Sequence, residues 1–308
     1  MSRIPKLLVT GATGLLGNAL IQASIERYTV TGLARHPEPA SAPCEIHPVD
    51  LLDQEVLSRV IRTTEPDLVI HAAAMVDVDQ CQRDPETAFA VNVEGTRNLL
   101  RSLGRSRCRF LFISTESVFD GEKGNYTEED PTQPIHVYGK SKFEAERIIL
   151  RSRPDALVTR VSFYGWNATP SKSPKKKNLA EWVLSHLKER QEIPGFTDLH
   201  FSPIPAPLLA EALLELAEKD CAGILHVAGS QGCSKYEFAR ELAIAFGFSP
   251  SLVIPTISDS GSLTAPRPKN VTLCVEKASQ LLGRSLPNLL EGLQAFRSCE
   301  PMLARGPS

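Results

Sequence analysis

Short apolar runs alternate with longer amphipathic segments through the first half of the chain. Runs of strand length lie at 7–10, 28–34, 45–48, 67–73 and 109–113. Between them, apolar positions recur at helical spacing over 15–25, around 56–61 and over 86–103. Repeated units of this kind join parallel strands through crossing helices. The pattern therefore predicts an α/β fold, a doubly wound parallel sheet with helices on both faces.

The second half of the chain has a different pattern. A polar, proline-containing stretch at 168–178 predicts a surface loop. One strand is predicted at 223–228, and helices are predicted at 178–190, 205–219, 234–247, 275–283 and 288–297. We therefore expect a smaller α-rich C-terminal lobe that binds the substrate. The first domain is predicted to span 1–165 and to be completed by about 203–228, and the lobe to span 166–202 and 229–308.

The composition narrows the class of protein. Of the 308 residues, 42% are hydrophobic and 23% are charged, which favours a globular core over disorder. The net charge of −2 supplies no basic field for nucleic acid. The seven cysteines have no paired spacing, which favours reduced thiols and no metal site. Because no apolar run approaches the roughly 18 residues of a membrane span and no leader pattern is present, we expect a cytoplasmic protein without a membrane partner.

A glycine-rich loop follows the first predicted strand and opens the first predicted helix. Glycines in this context permit a tight turn, a close approach of a pyrophosphate and close helix packing, while the helix N-terminus attracts the phosphate charge. The loop predicts a dinucleotide-binding site, against the alternative of a tight turn that binds nothing. Its candidate cofactor-binding residues are Gly11, Thr13, Gly14, Leu15, Leu16 and Gly17.

The end of the second strand indicates which dinucleotide is bound. Arg35 stands there, and no acid follows until Glu38. A carboxylate at this position would bind the ribose 2′-hydroxyl of NAD, whereas a cation suits the 2′-phosphate of NADP. The sequence favours NADP(H) over NAD(H), unless Arg35 is only a surface loop residue.

Further cofactor contacts are predicted at the ends of the next strands. Asp50, followed by Leu51, could accept a hydrogen bond from the adenine amino group, or it could belong to a helix N-cap near 52–53. The fourth strand ends in small side chains that leave room for a flat cofactor, or that simply pack closely. These residues are Ala72, Ala73 and Ala74.

A second group of residues predicts carbonyl reduction. Thr115 ends the strand at 109–113, at the carboxyl edge where open parallel sheets bind ligands. Tyr138 and Lys142 are four residues apart and share a helix face, whereas Lys140 points elsewhere and is expected to be solvated. A tyrosine donates a proton to a forming alkoxide, and a neighbouring lysine is expected to lower the tyrosine pKa. The alternative is an ordinary surface helix pair.

These motifs resemble the extended short-chain dehydrogenase/reductases and, within them, the dTDP-4-dehydrorhamnose reductase branch. The resemblance covers about 5–297, and the segments that carry it are 11–17, 72–74, 78–79, 114–121, 137–142, 195–198, 223–229 and 267–273. It implies a Rossmann domain with a small C-terminal domain that binds a nucleotide-sugar. It also implies NADPH-dependent reduction of a nucleotide-activated 4-keto-6-deoxysugar by hydride transfer.

The resemblance also implies roles for single residues. Thr115, Tyr138 and Lys142 would be catalytic, with the last two also contacting the cofactor. Asn92 would contact the cofactor, unless it is an ordinary polar helix residue. The implied substrate-binding residues are Thr115, Glu116, Phe163 and Arg267. Arg267 would bind the diphosphate, unless it is a solvated loop residue.

The chain departs from the pattern of the branch in three places. Glu116 and Ser117 stand where the branch usually has Asp-Tyr, and Phe163 stands where it often has Trp. These changes lie at the sugar. Ser117 also occupies the position of the base in related dehydratases, and a serine cannot abstract a carbon-bound proton, which argues against dehydration.

A second hypothesis comes from the same branch. It contains the non-catalytic, NADP-binding β subunit of methionine adenosyltransferase, whose glycine loop this chain fits equally well. Under that hypothesis the partner is another enzyme, and under the first it is the nucleotide-sugar, with a homodimer left open. A third hypothesis, a sugar-nucleotide epimerase, requires tightly bound NAD⁺, and Arg35 argues against it.

Overall fold

The computed structural model describes residues 3–37, 43–167, 177–219, 221–258 and 264–300. Within these ranges the main sheet has seven strands, all parallel, in the order β11-β6-β5-β4-β1-β2-β3. Its strands are β1 (Lys6–Thr10), β2 (Thr29–Ala34), β3 (Glu45–Pro48), β4 (Leu68–His71), β5 (Arg109–Thr115), β6 (Leu157–Val161) and β11 (Gly223–Val227). The order reverses at β1, so the cleft at the carboxyl ends of β1 and β4 is where such sheets bind ligands.

The strands carry apolar side chains on both faces, which is why the sheet is buried between two helical layers. In β5, Leu111 and Ile113 face one core, and Phe110 and Phe112 face the other. One layer contains α1 (Leu15–Ser24) and α8 (Ala206–Glu218). The opposite layer contains α2 (Gln54–Thr64), α5 (Gly95–Leu103) and α6 (Val137–Ser152).

The remaining elements lie beside the carboxyl edge of the sheet or in the lobe. Two short helices are α3 (Val78–Arg83) and α4 (Pro85–Phe89), and the lobe helices are α7 (Leu179–Lys188), α9 (Lys235–Ala245), α10 (Glu276–Leu282) and α11 (Leu289–Ser298). Three pairs of short strands complete the lobe: β7 (Phe163–Tyr164) with β10 (Ile204–Pro205), β9 (His200–Phe201) with β12 (Cys233–Ser234), and β8 (Ile193–Phe196) with β13 (Val253–Thr256). The lobe core forms where the rings of Tyr164, Phe238 and Phe296 meet edge to face.

Most of the predicted elements are present within a few residues of their predicted bounds, and the α/β class with a parallel, doubly wound sheet is confirmed. The helix predicted over 86–103 is confirmed, with a π-helical turn at 90–94 between α4 and α5 that the pattern did not predict. The strand β6 was not predicted. The predicted loop at 168–178 lies outside the described residues except for its last two positions.

Candidate active site

The glycine loop forms a compact turn between β1 and α1. Gly11 has a φ of +71°, and a Cβ there would lie 2.8 Å from the backbone nitrogen of Ala73. A Cβ on Gly17 would lie 2.1 Å from the Gly11 carbonyl oxygen. Gly14 is the N-cap of α1, with no side-chain cap and no acidic residue in the first turn. The N-terminus of α1 is thus shaped and charged to accept a pyrophosphate.

A buried hydrogen-bond chain supports this loop from below. The Thr10 hydroxyl lies 2.7 Å from His71 Nδ1, and His71 Nε2 lies 3.0 Å from the Thr96 hydroxyl. Thr10 also accepts a bond from the Ala73 backbone N–H. Burial, and then the charge of Lys142, lower the pKa of His71 to about 3. A neutral His71 therefore holds the segment of Ala72–Ala74 beside the loop in a structural role.

Asn92 ties three elements together from the π-helical turn. Its Oδ1 accepts from the Met75 backbone N–H at 2.7 Å, and its Nδ2 donates to the Met75 carbonyl and to the Ser141 hydroxyl. Asn92 is 2% exposed. It positions the end of the 72–75 segment against α6, and its direct contact with a cofactor stays a prediction. The one-residue insertion of the π-helix places this side chain, and periodicity alone gave no sign of it.

Fewer side-chain contacts define the candidate adenosine end of the site. Arg35 is exposed directly after β2, as a 2′-phosphate contact requires. Asp50 is exposed and accepts from the Leu52 backbone N–H at 2.9 Å, whereas the N-cap of α2 is Asp53. The predicted cap near 52–53 is therefore present, and Asp50 forms the turn before it. Leu51 is buried.

The three predicted catalytic residues meet at the carboxyl end of β5 and the start of α6. His136 caps α6 by accepting from the Gly139 backbone N–H, and its ring stacks on that of Tyr138. Tyr138 and Lys142 lie on the inward face of α6, and Lys140 is exposed, as predicted. Thr115 lies within hydrogen-bonding reach of Tyr138.

Thr115 also contacts its neighbours in the chain. Its hydroxyl donates to Glu116 Oε2 at 3.0 Å and accepts from the Ser117 backbone N–H at 3.2 Å. The two predicted substrate residues Thr115 and Glu116 are thus joined directly. Tyr138 lies beside this pair.

The predicted effect of Lys142 on Tyr138 is wrong. Burial raises the pKa of Tyr138, the charge of Glu116 raises it further, and only the hydrogen bond with Thr115 opposes them. The Lys142 ammonium instead lies 3.9 Å from the centroid of the Phe112 ring. Tyr138 is accordingly a protonated phenol at neutral pH, the form that can donate a proton.

Lys142 has its own perturbed environment. It is 3% exposed, and burial lowers its pKa to about 7, although Glu146 opposes this. The Glu146 carboxylate accepts hydrogen bonds from Ser114 and from Arg160, which is 2% exposed. Sequence reasoning missed this network, although Glu146 follows Lys142 by four residues and so shares its helix face.

The predicted substrate residues lie on two sides of the cleft. The guanidinium of Arg267 pairs with Asp79 at 3.0 Å and donates to the Ala265 carbonyl. Arg267 is 24% exposed, so it is not the fully solvated loop residue of the alternative prediction. Phe163 is half-buried in β7. Contacts of both with a substrate stay predictions.

Glu116 faces a charged residue that sequence reasoning missed. Burial raises the pKa of Glu116, while the charge of Lys235 and hydrogen bonds with Thr115 and Ser162 lower it. Lys235 is the first residue of α9, in the lobe. The arrangement brings a phenol, a hydroxyl, a carboxyl and two ammonium groups to one edge of the sheet, beside a dinucleotide loop.

The protein is a doubly wound α/β fold with a glycine loop after β1, and Thr115, Tyr138 and Lys142 lie at the end of β5 and the start of α6. The chain belongs to the family described as RmlD substrate binding domain, whose model matches residues 5–299. This confirms the resemblance to the dTDP-4-dehydrorhamnose reductase branch. Within the described ranges, no helix is long and apolar enough to cross a membrane, and no cluster of three His, Cys, Asp or Glu side chains suits a metal ion.

Curated relatives include reductases and a subunit of another enzyme. A probable low-salt glycan biosynthesis reductase of Haloferax volcanii is 33% identical over 94% of this chain and 96% of its own length. A dTDP-4-dehydrorhamnose reductase of Aggregatibacter actinomycetemcomitans is 31% identical over 90% of this chain and 93% of its own. The mouse methionine adenosyltransferase 2 subunit beta is 30% identical over 92% of this chain and 84% of its own.

Solved structures agree with the family. The dTDP-4-dehydrorhamnose reductase of Bacillus anthracis, in complex with NADP, superposes with a TM-score of 0.85 at 25% identity, covering 96% of this chain and 99% of that one. A hypothetical dTDP-4-dehydrorhamnose reductase from Sulfolobus tokodaii gives 0.78 at 34% identity, covering 89% and 94%.

Proposed function

We propose that this protein uses NADPH to reduce the keto group of a nucleotide-activated 4-keto-6-deoxysugar. The observation that carries the proposal is the junction of Thr115, Glu116 and Tyr138, with Lys142 one turn further along the same helix face. A half-buried, protonated phenol beside a hydroxyl is suited to donate a proton to a carbonyl oxygen. The reductases among the relatives support the same reaction.

The residues at the sheet edge fit the cofactor. The N-terminus of α1 would hold the pyrophosphate, since a Cβ on Gly17 would collide with the loop and Gly14 leaves the helix end uncapped. Arg35 would bind the 2′-phosphate, and Lys142 the nicotinamide ribose. When bound, NADPH supplies the hydride for the carbonyl carbon. The complex of the Bacillus anthracis relative with NADP supports this assignment.

Residues of this chain supply the proton that converts the carbonyl oxygen into a hydroxyl group. As hydride reaches the carbonyl carbon, negative charge grows on the oxygen, and Tyr138 transfers its phenolic proton there to give the alcohol. The Thr115 hydroxyl, fixed by the Ser117 backbone N–H, orients that oxygen by turning its single proton from Glu116 toward it. The tyrosinate that remains takes a proton back from water before the next turnover. Arg267, held by Asp79, binds the diphosphate.

The test is oxidation of NADPH, followed by absorbance, with dTDP-, UDP- and GDP-linked 4-keto-6-deoxysugars. We expect turnover with one nucleotide, and a preference for NADPH over NADH that Arg35→Gln removes. Lys188→Gln, a change in the lobe helix α7, is the matched control for the loss of charge. NADPH binding without turnover on any of these sugars would overturn the proposal.

The methionine adenosyltransferase relatives favour a second function, a regulatory subunit that binds NADP(H) and a partner enzyme. That function predicts binding of NADPH without turnover. It also predicts a mass shift on mixing with a methionine adenosyltransferase catalytic subunit, measured by size-exclusion chromatography with light scattering. Turnover on the sugar panel with no mass shift would exclude it.

A further inference from the structure

Lys235 stands at a helix position that disfavours its charge. It is the first residue of α9, and the partial positive charge of a helix N-terminus repels a cation. The helix end itself is already satisfied, because Ser234 and Glu237 form a reciprocal capping box. Local structure therefore gives no reason for a lysine here, and such conflicts in folded proteins point to function.

The Lys235 ammonium packs on an aromatic ring and has no hydrogen-bond acceptor within the described residues. It lies 3.2 Å from the centroid of the Phe201 ring. Burial lowers its pKa to about 8, although the charges of Glu116 and then Cys233 oppose this. Across the described residues, the ammonium donates no hydrogen bond and forms no salt bridge. Its three N–H donors thus lack partners in a partly desolvated place.

Glu116 directly follows β5, and its carboxylate can accept a further hydrogen bond. Its carboxylate accepts from a backbone N–H and from the hydroxyls of Thr115 and Ser162. A carboxylate has about four acceptor sites, so about one remains. Lys235 and Glu116 interact electrostatically without forming a salt bridge. Because no salt bridge joins them, the ammonium and the carboxylate both keep hydrogen-bonding capacity for a ligand.

We propose that Lys235 and Glu116 together bind two neighbouring hydroxyl groups of the sugar ring beside the reacting carbonyl. The Lys235 ammonium donates to the 3-hydroxyl oxygen, and the Glu116 carboxylate accepts from the 2-hydroxyl. Glu116 is joined to Thr115, which reaches Tyr138, so this diol lies directly beside the carbonyl under reduction. The inference rests on the proposed function and deepens it, because it selects sugars that retain a vicinal diol over their deoxy analogues.

Two variants separate charge from packing. Lys235→Met keeps the length of the side chain and its contact with Phe201 but removes the donors, and Lys235→Arg keeps the charge. Arg240→Met, on the exposed side of α9, is the matched control. The substrates are the nucleotide 4-keto-6-deoxysugar that the wild type turns over and the same compound without its 3-hydroxyl.

For the hydroxylated sugar, we expect Lys235→Met to raise KM about tenfold or more, the effect of losing a charged hydrogen bond. The deoxy sugar should show no change, Lys235→Arg should recover most of the loss, and NADPH affinity should be unaltered. Equal effects on both sugars, or none on either, would overturn the inference while leaving the reductase intact.

A binding measurement separates this inference from the proposed function. If the wild type turns over no sugar, calorimetry with the reduced nucleotide 6-deoxysugars as probes replaces kinetics. Binding that Lys235→Met weakens about tenfold or more supports the diol site even without catalysis. Wild-type binding to none of these probes overturns both proposals, and equal binding by wild type and Lys235→Met overturns the diol site alone.

Discussion

Arg160 and Glu146 form a salt bridge of 2.8 Å in which each side chain is only 2% exposed. A second bond joins Arg160 Nε to Glu146 Oε1 at 3.1 Å, and Ser114 donates to the same carboxylate. Glu146 follows Lys142 by one helical turn and stabilises its ammonium. The pair is therefore a buried salt bridge next to the candidate catalytic residues.

Removing one partner of this buried salt bridge is expected to destabilise the fold. Glu146→Gln leaves the buried Arg160 without a counter-charge, and breaking a buried pair in this way costs about 3–5 kcal/mol. The measurement is the free energy of unfolding in urea. Glu144→Gln, which breaks the more exposed pair with Arg147, should cost less than about 1 kcal/mol. Equal losses in the two variants would contradict this account.

The pKa of Lys142, lowered by burial to about 7, sets an expected pH dependence. The ammonium form is the one that we propose binds the nicotinamide ribose. That form is lost as pH rises through about 7, so kcat/KM for NADPH should fall above that pH. Glu146→Gln should move this limb to lower pH, since Glu146 raises the pKa. A profile that stays flat from pH 6 to pH 9 would disprove the assignment.

Buried histidines predict acid lability. Burial lowers the pKa of His71 and His226 to about 3 and that of His136 to about 4, from 6.5. Each folded-state pKa lies below the unfolded value, so the unfolded chain binds more protons, and stability falls as pH falls below 6.5. At pH 5.5, each histidine lowers the free energy of unfolding by about 1.4 kcal/mol, and the three together lower it by about 4 kcal/mol.

Urea midpoints at pH 7.5 and pH 5.5 measure this loss. His226→Gln should reduce the difference between the two pH values by about one third, its share of the three histidines. His36→Gln, at an exposed position, should leave the difference unchanged. A wild-type midpoint independent of pH across this window would show that these rings do not stay neutral in the fold.

Two glycines of the loop should separate cofactor binding from folding. Gly14→Ala meets only the Gly11 carbonyl, at 3.1 Å, so the fold should survive while the added methyl group obstructs a phosphate. We expect its NADPH affinity to fall about tenfold or more with little change in melting temperature. Gly17→Ala, whose Cβ would lie 2.1 Å from the Gly11 carbonyl oxygen, should lose both. Fluorescence titration and thermal unfolding distinguish these outcomes, and unchanged binding by Gly14→Ala would remove the loop from the cofactor site.

Patterns along the chain predicted the sheet because parallel strands buried on both faces are strongly apolar and lie between amphipathic helices. The strand β6 was missed because it contains Arg160, whose charge is neutralised by Glu146 on another element. The π-helical turn was missed for a similar reason, since the bonds of Asn92 to Met75 that accompany it are tertiary. Both depend on contacts that periodicity does not contain.

The sequence predicted which residues form the candidate site but did not predict how their pKa values shift. Helical spacing placed Tyr138 and Lys142 on one face, but the direction of the Tyr138 pKa depends on burial and on Glu116. Lys235 and Glu116 interact electrostatically only because the fold brings α9 close to the end of β5. No spacing in the sequence measures that approach.

The central claim is that Tyr138 donates the proton in reduction of a nucleotide-linked 4-keto-6-deoxysugar. The most direct measurement compares kcat and NADPH affinity between wild type and Tyr138→Phe, with NADPH oxidation followed by absorbance. We predict a fall in kcat of about 10²–10⁴-fold, with NADPH affinity unchanged within about twofold, because the ring and its stacking on His136 remain. Unchanged turnover in Tyr138→Phe would contradict the account.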